Sequence, residues 1–193
     1  MKHILFLASG NSRRFGENKL LYMLDGKPLY RHGLDTLAEL MHERDDCTLT
    51  VVSRYAAVRA GAQALGVRAV DSPESEKGLS YTIRAGLDAI DVQDGDFVVF
   101  VVADQPYLTG KTVAHLLDAA APGVRMARVV FGERRGNPNL FCAALVPELY
   151  ALRGDEGGRE LLRGADCVLV QAGCERELYD VDTPAHAAGT PQR

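Results

Sequence analysis

The chain has 193 residues, 47% of them hydrophobic and 25% charged, with a formal net charge of −4. That length is enough to bury a sizeable core, and the composition excludes a disordered or fibrous chain. The acidic balance argues against nucleic acid as the main ligand, since such binders carry a basic face, and no run approaches the roughly 18 apolar residues of a membrane helix.

In chain order, His3–Ala8 reads as an apolar strand, Leu29–Glu43 as an amphipathic helix, Thr48–Ser53 as a strand, Ala56–Leu65 as a helix and Val67–Val70 as a strand. Ser80–Ile90 is helical in period. Asp96–Ala103, "DFVVFVVA", has no polar alternation, and Thr109–Ala120 is a helix with Thr109 or Gly110 near its cap. Strands without alternation are buried on both faces, so this βαβ order predicts a three-layer α/β/α sandwich on a Rossmann-like, mostly parallel sheet. Beyond residue 122, Met126–Phe131 and Leu140–Ala144 read as strands around a polar turn, "GERRGNPN". A short helix and a strand at Cys167–Gln171 follow, which predicts some antiparallel pairing in the C-terminal half. No linker composition divides the chain, so residues 1–193 are expected to form one domain.

The four cysteines form no C-x-x-C pair and no zinc-like spacing with histidine, which predicts reduced thiols. The apolar start is too short for a leader and meets Arg13 and Arg14 at once, so a cytoplasmic protein is expected.

Chemistry concentrates at strand ends. "LASGNSRRFGENK", Leu7 to Lys19, combines two glycines with cations after the first strand, a composition suited to phosphate. A Walker A loop fails, because Gly10 and Gly16 stand one residue too far apart and Lys19 does not follow Gly16 directly. A dinucleotide fingerprint fails on its glycine spacing and on Ser53-Arg54, where an acid belongs. A surface loop with solvated cations satisfies the same composition. Asp104 ends the most apolar strand, where a carboxylate beside phosphate calls for a cation such as Mg²⁺, although Asp before Pro106 also simply starts turns. "ELYDVDTPA" puts Asp180 and Asp182 on one side of an extended segment, and Asp182 or Thr183 before Pro184 equally fits a helix cap. "KGLSYTIRAGL", "RRGNPNLF" and "GDEGGRELL" join glycine to polar residues suited to further ligand contacts, the last also reading as an ordinary helix entry.

Taken in order, "LASGNSRRFGENK", "GLS…RAGL", "ADQP", "RGNP", "GDEGGR" and "DVDTP" resemble the nucleotidyltransferases that attach a nucleotide to the molybdenum cofactor. The likeness runs from about Ile4 to Pro184 and is nearest to the molybdenum cofactor cytidylyltransferases. It implies a nucleotide-diphospho-sugar transferase-like fold and transfer of CMP from CTP to the terminal phosphate of molybdopterin, with release of pyrophosphate. By this resemblance Ala8, Ser9, Gly10, Ser12, Arg14, Gly16 and Lys19 hold the triphosphate, with Gly78, Leu79 and Ser80 beside the nucleoside. Asp104 and Asp182 match the Mg²⁺ ligands, Arg14, Lys19 and Asp104 the catalytic set, and Gly136, Asn137, Pro138, Asp155 and Arg159 the pterin side. Ser9 stands where guanylyl-transferring relatives carry Gly and cytidylyl-transferring ones Ala, so GTP remains an alternative to CTP. The implied partners are the nucleotide, molybdopterin, and a molybdoenzyme client or its chaperone, with neither nucleic acid nor membrane. A sugar-phosphate acceptor and a non-catalytic cofactor-maturation partner are the competing readings.

Overall fold

The structure is a computed structural model and describes residues 1–10, 15, 18–163 and 166–183. Its elements in chain order are β1 (Lys2–Leu7), β2 (Met23–Leu24), β3 (Lys27–Pro28), α1 (Leu29–His42), β4 (Cys47–Val52), α2 (Ala56–Gln63) and β5 (Arg68–Val70). Then follow α3 (Leu79–Leu87), β6 (Phe97–Val102), α4 (Gly110–Asp118), β7 (Met126–Phe131), β8 (Arg134–Cys142), α5 (Val146–Ala151) and β9 (Val168–Gln171). The sheet runs β5-β4-β1-β6-β8-β7-β9, parallel throughout except for β8, while β2 and β3 form a separate small hairpin.

Alternation along β1 divides the core. Ile4 and Phe6 point to a layer built with Leu34 and Leu37 of α1, Val58 of α2 and Leu116 of α4. Leu5 and Leu7 point to the opposite layer, with Ile83 and Leu87 of α3 and Leu149 of α5. Gly86 lets α3 approach closely, since a Cβ there would stand 2.8 Å from Leu5 Cδ1. Fully burying one such Leu, Ile or Phe contributes about 1.5–3 kcal/mol, so both layers hold β1 firmly in the middle of the sheet.

The polar turn expected from "GERRGNPN" is mostly strand. The turn itself is Gly132 and Glu133, and β8 starts at Arg134 and ends at Cys142. Arg128 pairs with Asn139 and Val130 with Arg135, so two steps along β7 face four along β8. Gly136, Asn137 and Pro138, with a cis Asn137–Pro138 bond, stand opposite the single residue Val129 and form a bulge with two extra residues. Their glycine, proline and polar side chains erase the strand signal in the sequence.

The chain leaves β1 toward β4 and β5 on one side, then crosses to β6 on the other. That reversal places the segments following β1 and β6 next to each other at the carboxyl edge of the sheet, where open α/β sheets bind ligands.

Candidate active site

A cavity of about 250 Å³ opens at this edge, walled by Ser9 and Gly10 after β1, Asp104 after β6, Lys19, Asp155 and Asp180 among others. The rim after β1 is fastened by short polar links. Ser53 Oγ donates to the Ala8 carbonyl at 2.6 Å, Tyr55 Oη donates to the Gly10 carbonyl at 2.9 Å, and the Arg54 N–H donates to Ser9 Oγ at 3.1 Å. Ser9 Oγ also lies 2.6 Å from Ser72 Oγ. The Ser9 hydroxyl is therefore spent within the protein rather than turned toward a ligand.

Lys19, in a single 3-10 turn Lys19–Leu21, is 7% exposed, and its Nζ donates to Asp104 Oδ2 at 2.8 Å and to Asp182 Oδ1 at 2.9 Å. Burial alone would lower the lysine's pKa, and Asp104 and Asp182 outweigh it, holding the ammonium above its ordinary value. Asp182 reaches this point because the Val181 N–H donates to the Asp104 carbonyl at 2.9 Å, pinning the C-terminal segment to the end of β6.

Asp180 was paired with Asp182 by alternation, but their surroundings differ. Asp180 Oδ1 accepts from Gln105 Nε2 at 2.9 Å. Burial and then the charge of Asp104 push its carboxyl up to about 6. Asp104 and Asp182 converge on one nitrogen and offer the hard oxygen donors that a divalent cation takes. Among the described residues no group of three or more His, Cys, Asp or Glu is arranged to hold a metal by itself.

Of the residues singled out in the sequence, the structure gathers Ser9, Gly10, Lys19, Leu79, Asp104, Asn137, Asp155 and Arg159 around this cavity, with Asp182 joined through Lys19. Ala8 is buried at the end of β1 behind the cavity wall. Gly78 and Ser80 stand behind the wall as braces. Gly78 has φ 133°, a Cβ on it would stand 2.2 Å from the Gly154 carbonyl oxygen, and the Ser80 N–H donates to that carbonyl at 3.0 Å. Gly136 lines a second, smaller cavity, and Pro138 lines neither. Ser12, Arg14 and Gly16 lie outside the described residues. Sequence reasoning missed Gln105 and Thr82, which sit inside "ADQP" and "KGLSYTIRAGL" without being singled out there, Ser75, a polar residue outside those motifs, and Arg128, hidden in an apolar strand.

Comparison with known proteins agrees with this geometry. The model of the MobA-like NTP transferase domain matches residues 4–171. Purine catabolism protein PucB of Bacillus subtilis (strain 168) is 33% identical over 197 residues, covering 93% of this chain and 91% of that protein. A probable molybdenum cofactor guanylyltransferase of Pyrococcus horikoshii is 61% identical over 31 residues, 16% of each chain. A nucleotidyl transferase from Methanothermobacter thermautotroptrophicus superposes with a TM-score of 0.80 at 20% identity, over 98% of this chain and 95% of that one, which shows a shared fold. With the sheet order, the strand-end cavity and a family match over most of its length, the chain belongs to the MobA-like NTP transferase domain family of nucleotidyltransferases.

Proposed function

We propose that this chain transfers CMP from CTP to the terminal phosphate of molybdopterin. An acceptor phosphate oxygen forms a bond to the α-phosphorus while the bond from that phosphorus to the bridging oxygen breaks, and pyrophosphate leaves with the electron pair. The observation that carries the reading is the convergence of Lys19, Asp104 and Asp182 at the carboxyl ends of neighbouring parallel strands. The attacking oxygen is already ionised at neutral pH, so the protein must position and neutralise rather than abstract a proton.

Asp104 and Asp182 fit Mg²⁺, which commonly takes one or two carboxylates and fills its remaining positions with substrate phosphate and water. When bound, the ion supplies charge neutralisation and alignment at the phosphates. Lys19 balances phosphate charge, Gly10 offers an open rim, and Asn137, Asp155 and Arg159 face the acceptor. The finished cofactor would pass to a molybdoenzyme or its chaperone.

A second reading, guanylyl transfer from GTP, is favoured by the short, closely matching segment shared with the Pyrococcus protein. Pyrophosphate release measured with molybdopterin and Mg²⁺, in parallel with CTP and GTP, tests both. Release with neither nucleotide overturns the proposed acceptor.

A further inference from the structure

Beside the main cavity lies a smaller one of about 120 Å³, walled by Arg128, Arg135 and Arg159 together with Gln105, Asn139 and Asp180. Arg128 projects from β7 on the face where Met126 and the neighbouring Phe141 of β8 belong to the apolar core. It is 8% exposed, its Nε has no hydrogen-bond partner, and it forms no ion pair among the described residues. A charged group in an apolar layer is costly unless something pairs with it.

The surroundings deepen the deficit. Burial first, and then the charges of Arg135, two residues along from the Gly132–Glu133 turn, and of Arg159, in the 3-10 turn Gly158–Glu160, disfavour protonation of Arg128. The carboxylate on this wall, Asp180, is engaged by Gln105 Nε2. Two further wall residues keep buried oxygens without partners, Gln105 Oε1 and Asn139 Oδ1. Four guanidiniums line the space; Arg134 is paired with Glu175 at 3.2 Å, and the other three, from three separate elements, converge on a space whose neutral polar groups are also left unmatched.

We infer that this cavity is an oxyanion subsite for the acceptor, in which Arg128, Arg135 and Arg159 grip a phosphate group while Gln105 Oε1 and Asn139 Oδ1 accept N–H or O–H groups from the adjoining part of the same molecule. The inference rests on the nucleotidyl-transfer reading for the word acceptor, but the anion site stands on its own geometry. The β8 bulge explains why the site exists. Its extra residues bring Arg135 and Asn139 over Arg128, and Asn137 and Arg159 line both cavities, so a molecule seated here reaches the carboxyl edge of β1 and β6. Guanidinium forks match phosphate oxygens in pairs, which makes arginine rather than lysine informative at these positions.

The test is calorimetric titration of the full chain with inorganic phosphate, in the presence of Mg²⁺ and saturating α,β-methylene-CTP so that the nucleotide cleft is filled. Arg135 is exposed, so Arg135→Gln folds normally, and it is expected to weaken phosphate at least tenfold while leaving affinity for the CTP analogue within about twofold. Arg128→Lys, which keeps the charge and loses the fork, is expected to weaken phosphate by a similar factor. Saturable phosphate binding that is unchanged in both variants, or no phosphate binding by the wild type, overturns the subsite. Failure of both α,β-methylene-CTP and α,β-methylene-GTP to bind, with phosphate binding still sensitive to Arg135→Gln, would instead overturn the nucleotidyl-transfer reading and leave the subsite supported.

Discussion

Lys19 and Asp104 lie 85 residues apart in sequence, yet Nζ of the lysine donates to Oδ2 of the aspartate at 2.8 Å across the ends of two adjacent parallel strands. Removing either partner should have a different consequence. Asp104→Ala takes away a ligand-facing carboxylate and no core contact, so turnover should fall about 10²–10³-fold, the scale of other electrostatic stabilisers, while the circular dichroism spectrum stays that of the wild type. Wild-type rates of pyrophosphate release from the variant would show that the carboxylate does not face the reaction.

Lys19→Ala should discriminate between nucleotides. A charge-assisted hydrogen bond contributes roughly 1.5–3 kcal/mol, so affinity for the triphosphate should drop about ten- to a hundredfold. The monophosphate of the same nucleoside should lose much less, because we propose that the charge Lys19 balances lies on the outer phosphates, which the monophosphate lacks. Equal losses in calorimetric titrations of both ligands would put Lys19 near the nucleoside or in a purely structural role.

Asp180 gives the ligand-free protein a pH dependence of definite sign. Its carboxyl is raised to about 6, first by burial and then by the charge of Asp104, against an unfolded value near 3.9. The folded protein therefore holds this proton more tightly than the unfolded chain. The resulting stabilisation is complete below about pH 4 and is lost as the pH rises through about 6. Asp180→Asn keeps an oxygen for Gln105 Nε2 and has nothing to ionise. The variant should match the wild type in urea unfolding at pH 4.5 far more closely than at pH 7.5, where it should be about 1–3 kcal/mol more stable than the wild type. A difference independent of pH would refute the burial argument.

Gly78 and Gly154 show how much of the architecture a sequence conceals. The stretches "GLS" and "GDEGG" read as two ligand-contacting motifs, yet their glycines largely serve packing: Gly78 against Gly154, Gly157 against Leu79 and Gly158 against Phe141. Gly78→Ala meets both a φ of 133° and backbone atoms 2.2 Å away. It should cost at least about 2–3 kcal/mol in urea unfolding. Gly95→Ala, with φ 88° and nothing within 4 Å, should cost only about 1 kcal/mol from the backbone. Equal losses in the two variants would mean that the contact with Gly154 is relieved cheaply.

The parallel half of the fold was legible because β1, β4 and β6 are continuous apolar runs and the helices between them keep a clear period. Asp104 was legible for a related reason, since a strand end can be located from the strand itself, whereas Lys19, well past the end of β1, stood out by the cation- and glycine-rich composition of its loop. The opening half of β8 was not legible, because a bulge removes the alternation that marks a strand. Arg128 was hidden by the reverse effect: a single cation inside "MARVVF" looks like an exposed position, yet it is buried and shares a cavity wall with Arg159 of the turn Gly158–Glu160. Gln105 owes its place to a tertiary pairing with Asp180, and Asn139 to the sheet register that sets it opposite Arg128.

We propose that the choice of base turns on Ser9. As a cleft wall it adds a Cβ that glycine lacks, and its hydroxyl is held by Ser72 Oγ at 2.6 Å and by the Arg54 N–H at 3.1 Å, so it is not free to swing round and pair with guanine. A fixed wall disfavours the larger base, and overpacking of this kind costs about 1–3 kcal/mol. Wild-type enzyme should therefore turn over CTP faster than GTP at equal concentration, and Ser9→Gly should shift the ratio toward GTP by about tenfold. Because Ser9→Gly also releases Ser72 and the Arg54 N–H, Ser72→Ala is the necessary companion. It loosens the same network while leaving the Ser9 Cβ in place, and it should leave the ratio near that of the wild type. A matching shift in both variants would trace base choice to the rigidity of the rim, and a wild type that prefers GTP would overturn the steric argument and favour guanylyl transfer.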